Sequence, residues 1–109
     1  MTPERLIDIK NLLDGGDLEA EELIGIAAEL AGWAGDRHRG WKRRGLRILH
    51  SVALHALLVF RHAKQPATIL TARSFLLNAL RVAEANRRRY RPGDWGGPDF
   101  GDRWFEGEE

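Results

Sequence analysis

The chain contains no cysteine. Disulfides, thiolate metal ligands and a cysteine nucleophile are excluded, which fits a reducing compartment. Strand-forming residues are scarce as well. Val, Ile and Thr together number twelve, while Leu, Ala, Arg and Glu dominate, a composition that favours helix. Long hydrophobic runs are missing. The longest apolar segment, Leu46–Phe60, spans fifteen residues and holds Arg47, His50 and His55, too short and too polar for a bilayer. Met1-Thr2-Pro3-Glu4-Arg5 lacks the apolar stretch of a signal peptide. The expectation is a cytoplasmic protein with no membrane contact. At 109 residues it has room for one core.

What is present is charge, sorted into three blocks. Residues 1–36 carry nine acids and two bases, residues 37–91 carry fourteen bases and one acid (Glu84), and residues 92–109 carry six acids and one base (Arg103). The blocks, at −7, +13 and −5, sum to the formal +1. A basic middle between acidic ends points to an interaction partner more than total charge does.

The apolar spacing predicts four helices. Helix 1 runs from Pro3 to Leu13, with Thr2 as N-cap and Pro3 at the first helical position. Leu6, Ile9 and Leu13 form its stripe, widened by Ile7, and Gly15-Gly16 ends it by taking a left-handed conformation. Helix 2 starts at the N-cap Asp17, with Glu19, Glu21 and Glu22 at its positive end. Its face is Leu23, Ile26, Ala27, Leu30 and Trp33, and Gly35 closes it. Gly25 and Gly32 are expected to let another backbone, that of helix 3, approach closely. Helix 3 begins between Asp36 and Trp41 and is apolar on most sides, the mark of a central helix. Pro66 ends it. Helix 4 covers about Ala67–Arg89, with Ile69, Ala72, Leu76, Ala79 or Leu80, and Ala83 as a stripe flanked by Phe75 and Leu77. The expected fold is all-α, a bundle-like helical domain over 1–90 with a short helix 1 and a central helix 3. A non-helical acidic, aromatic tail follows at 91–109.

The candidate site is the basic middle. Arg37, Arg39, Lys42, Arg43, Arg44 and Arg47 precede or open helix 3, with Trp41 interleaved, and Arg87, Arg88 and Arg89 end helix 4. Phosphate backbones bind such surfaces by counterion release, arginine adds bidentate geometry, and a tryptophan can stack on a base. Two other readings stay open: neutralisation by the acidic segments of the same chain, and a homo-oligomer whose acidic and basic faces meet across a two-fold axis. No helix-turn-helix, RRM, KH or zinc-finger signature points to sequence-specific readout.

The tail carries Trp95, Phe100, Trp104 and Phe105 among six acids, five glycines and two prolines. Acids keep such rings solvated until a partner buries them, and aromatics dominate interface hot spots. The tail therefore reads as a docking peptide for another protein, or as a strap over the chain's own basic helices held by Trp–Arg contacts. A strap competing with a polyanion would be autoinhibitory.

Catalytic and metal chemistry find little footing. His55 and His62 share a helix face but lie two turns, about 10 Å, apart. His50 and His55 point in different directions, and helix 3 has no carboxylate. His50 and His55 are expected to be largely buried and hydrogen-bonded. Ser51 and His55 are four residues apart without a nearby acid to orient the imidazole. The glycine spacing of Gly35–Gly40 fails as a phosphate loop, because Trp41 stands where lysine is needed and no strand precedes it. No cofactor is expected. The residues thus favour a small non-enzymatic binding protein engaging a polyanion, above all nucleic acid. The alternative is a protein-interaction module, an adaptor, inhibitor or self-associating subunit, acting through segregated charge and the aromatic tail.

Overall fold

Four helices form where the apolar residues recur at helical spacing. The computed structural model describes the backbone of residues 1–37 and 44–89, and side chains within 1–36 and 45–85. In order they are α1 (Pro3–Gly15), α2 (Ala20–Arg37), α3 (Arg44–His62) and α4 (Pro66–Arg89), with no strand among the described residues. The all-α class therefore holds. The tail at 91–109 and the basic residues 38–43 lie outside the described residues.

Local chemistry sets the helix ends. The Thr2 hydroxyl accepts a hydrogen bond from the Arg5 amide at 3.1 Å, and Pro3 follows in the first turn. At the other end Gly16 is extended (φ −72°, ψ 144°), not left-handed as its glycine suggested. Its requirement is steric: its amide donates to the Leu12 carbonyl, and an added Cβ would stand 2.7 Å from that oxygen. α2 starts at Ala20, later than the Asp17 signal implied. Glu19 takes the capping place, and its amide reaches the Glu22 carboxylate three residues on at 3.5 Å. The Gln65 carbonyl accepts from the Thr68 and Ile69 amides, and Pro66 opens α4 because its first-turn amide needs no partner.

α3 packs along both α2 and α4, while α1 lies more lightly on α4. The stripe Leu46, Leu49, Ala53, Ala56 and Phe60 of α3 is buried, as are Leu6, Ile9 and Leu13 of α1. From α2 the core takes Leu23, Ile26, Ala27, Leu30, Ala31, Trp33 and Ala34, and from α4 Ala72, Leu76, Leu77, Ala79, Leu80 and Ala83. Burying one leucine fully contributes about 1.5–3 kcal/mol, so these shared stripes dominate stability. α3 is central but not enclosed. Ile48, Leu54 and Leu58 on it are exposed, as are Ile7 on α1 and Phe75 on α4, which the apolar pattern had placed beside the core.

The glycines divide differently from expectation. Gly25 and Gly32 are exposed, with no atom within 4 Å of an added Cβ, so they admit no neighbouring backbone. The close approaches occur at Gly35, where a Cβ would fall 2.8 Å from the His50 ring, and at Gly45, where it would fall 3.2 Å from the Ala83 Cα. Urea unfolding should therefore separate the two classes. Gly25→Ala or Gly32→Ala is expected to stabilise the protein by about 0.5–1 kcal/mol. Gly16→Ala or Gly45→Ala should destabilise it; a gain there like that at Gly25 would contradict the packing described.

Candidate functional site

Two surfaces are candidates for a functional site: one end of the bundle, where helix ends with basic sequence meet, and a groove between α3 and α4. The first follows from topology. Only residues 63–65 join α3 to α4, so the two run antiparallel, and Gly45 abuts Ala83. The start of α3 and the end of α4 thus share one end of the bundle. The end of α2 belongs to the same end, because His50 Nδ1 donates to the Ala31 carbonyl at 2.9 Å while Gly35 borders the same ring.

Of the sequence-derived basic residues, Arg37 is the last residue of α2, Arg44 the first of α3, and Arg87, Arg88 and Arg89 the last of α4. Their backbones therefore gather at that end. Arg47, one turn into α3, has an exposed side chain. Arg39, Lys42 and Arg43 lie outside the described residues, as do Trp95, Phe100, Trp104 and Phe105.

Other charges serve the fold. Every ion pair between described residues includes a member of α1. Arg5 makes a two-pronged contact with Glu29 of α2, Nε to Oε2 at 3.0 Å and an Nη to Oε1 at 2.9 Å. Lys10 pairs with Glu84 of α4 at 2.7 Å, and Asp14 with Arg81 at 3.4 Å. Arg5 and Lys10 are the two bases of the acidic first block, and Glu84 is the one acid of the basic middle block. Among the described residues, the charges that break the sorting are therefore among those that staple α1 to its neighbours.

Arg73 of α4, a base of the middle block, also serves the fold. Its guanidinium donates to the Leu13 carbonyl at 2.9 Å, to the Leu12 carbonyl at 2.8 Å and to the Gly16 carbonyl. These carbonyls cluster at the C-terminal end of α1, where the Leu12 oxygen also accepts from the Gly16 amide, so a cation there adds donors to an under-satisfied helix end and complements the dipole. No local pattern could reveal the contact, which joins residues about 60 positions apart.

The groove runs along the α3/α4 seam and encloses about 540 Å³. Val52, Val59 and Phe75 form apolar walls, and Ser51, His55, Thr68 and Thr71 supply polar atoms. Phe75 is 64% exposed, so it presents its ring to solvent. His55 is exposed here, against the expectation of a buried histidine, whereas His50 meets it in part through Ala31. Ser51 and His55 line the same groove with no acid among the lining residues. No group of three His, Asp or Glu among the described residues could hold a metal ion. None of the described helices is long and apolar enough to cross a membrane.

Comparison with protein-family models, with curated proteins and with solved structures finds no match.

The hydrogen bond from Arg5 holds the Glu29 carboxyl below its ordinary pKa, against a smaller opposing effect of partial burial. A carboxylate depressed in the folded state stabilises above its unfolded pKa, and that contribution is lost as pH falls through the folded value. Glu29→Gln should therefore lower stability near neutral pH by no more than about 1 kcal/mol, since the pair is half-exposed. The difference from wild type should vanish in acid; a constant difference across pH would contradict it. Arg73→Met should cost about 2 kcal/mol, from lost charged hydrogen bonds, while Arg61→Met at an exposed position stays within about 0.5 kcal/mol. Urea unfolding of the two variants checks this.

Proposed function

We propose that the chain is a non-enzymatic binding protein of the cytoplasm that engages a polyanion, most simply a nucleic acid, through the basic end of the bundle. The observation that carries this reading is the convergence of helix ends: the last turn of α2, the first of α3 and the last of α4 meet where Arg37, Arg44, Arg47 and Arg87–Arg89 occur in the chain. Arg39, Lys42 and Arg43, in the α2–α3 connection, would extend the same cluster. Counterion release supplies sequence-independent affinity to such a cluster, and no element of the fold demands base-specific readout.

The acidic tail, Asp94 to Glu109, would compete with a polyanion for the same cations and so gate binding. A second reading, a protein-interaction module acting as adaptor, inhibitor or self-associating subunit, is favoured by the exposed Ile48, Leu54, Leu58, Leu70, Phe75 and Val82.

Fluorescence anisotropy with labelled DNA and RNA tests the first reading. Affinity should fall steeply between about 50 and 200 mM salt, with a slope of about 0.9 per phosphate contacted on a duplex. Arg43→Glu with Arg44→Glu should abolish binding and leave the far-UV helical signal intact. Unchanged affinity in that double variant would overturn the site.

A further inference from the structure

The groove between α3 and α4 has the chemistry of a receptor for an acidic, aromatic segment, and the chain carries one. We propose that residues 92–109 fold back and seat their aromatic side chains in this groove, so that it is the intramolecular docking site of the C-terminal tail. The inference is independent of the polyanion reading, and its test contains no polyanion.

Three observations carry it. The first is shape and polarity. Val52, Val59 and the exposed ring of Phe75 face a space of about 540 Å³, inside the range of about 300–1,000 Å³ common for clefts that take a small-molecule ligand, and so roomy enough for aromatic side chains. Aromatic side chains packed against Phe75 would remove from water one of the largest exposed apolar surfaces of the bundle.

The second is charge. α3 contains no acid, and the single acid of α4, Glu84, is already paired with Lys10. His55 lines the groove itself. Exposed Arg61, His62 and Lys64 stand at the α3–α4 turn, next to the end of the groove marked by Thr68. A segment with six acids and one base meets attraction along this seam and no carboxylate among the lining residues. An acidic occupant gains from Arg61 and Lys64 an attraction that a basic or neutral one does not.

The third is reach. Phe75 lies fourteen residues before Arg89, about 21 Å back along α4. A chain of extended residues covers about 3.3 Å each, so Trp95 reaches about 20 Å from Arg89 and Phe100 about 36 Å. Trp104 and Phe105 reach beyond the far end of the seam. The reversal this requires is provided for in the sequence: Pro92-Gly93 comes three residues after Arg89, and a Pro-Gly pair favours a turn. A tether of this length also gives a local concentration of order millimolar, so weak contacts suffice.

Chymotrypsin provides the test, because it cleaves after the aromatic residues that the groove would shelter. The full chain is digested briefly and cuts within 92–109 are located by mass spectrometry. Phe75→Asp places a charge in the groove and removes its ring, and Thr71→Asp adds a like charge at an exposed lining position. Each should speed cleavage after Trp95, Phe100, Trp104 or Phe105 by about tenfold, as the open population rises, with the helical signal unchanged. Leu58→Asp, an equally drastic change at an exposed site outside the groove lining, should leave the rate as in wild type. Equal rates in wild type, Phe75→Asp and Thr71→Asp would overturn the proposal. Digestion at protein concentrations a hundredfold apart decides between one chain and two. A constant rate supports docking within one chain; protection that grows with concentration would assign the groove to a second copy and overturn the intramolecular claim.

Discussion

α3 can lie against both α2 and α4 because the three helices meet through side chains of minimal size. Ala53 and Ala56 on α3, Ala27, Ala31 and Ala34 on α2, and Ala72, Ala79 and Ala83 on α4 are all buried. Gly45 lets the α3 backbone approach Ala83, and Gly35 leaves room for the His50 ring. Larger residues such as Leu46, Leu49, Leu76 and Leu80 then fill the space that remains. This close approach fixes the antiparallel register of α3 and α4. The register in turn decides which residues share an end of the bundle and which flank the groove. Both candidate surfaces are therefore consequences of backbone proximity, not of any local motif.

Charge plays two separable roles in this scaffold. α1 shares less surface with its neighbours than the longer helices do, and it is held by polar contacts as well as by Leu6, Ile9 and Leu13. Arg5–Glu29 ties it to α2, Lys10–Glu84 ties it to α4, and Arg73 closes its exposed carbonyl end. The bases at the ends of α2, α3 and α4 are instead brought to one end of the bundle by the course of the backbone.

Much of this architecture was legible in the sequence, and the limits of that reading are physical. Apolar residues at helical spacing located all four helices and the buried stripes, since helical amphipathicity and burial report the same thing. The same periodicity cannot tell how wide the buried sector is. Ile7 and Phe75 sit at its margin and turn out exposed. A glycine signals that a Cβ is unwelcome or merely dispensable, and only the neighbour distinguishes Gly45 from Gly25. The start of α3 expected between Asp36 and Trp41 falls largely in residues 38–43, outside the described residues, and the glycine-punctuated basic run there carries no apolar stripe to mark a boundary. The roles of Arg73 and Glu84 depend on partners far away in sequence and could not be found locally. For the candidate site, composition named the residues, and the fold supplied what composition lacks: which helix ends come together.

The central claim is that this shared helix end is where a polyanion binds. An amide NMR titration of the full chain with a short DNA duplex at low salt tests it most directly. The account predicts that shift changes concentrate at Gly45, Arg47 and the last turns of α4 after Ala83, and leave the α3–α4 turn at Ala63–Gln65 and the start of α2 at Glu21 and Glu22 unaffected. Changes centred on that turn, or spread evenly over the four helices, would contradict it.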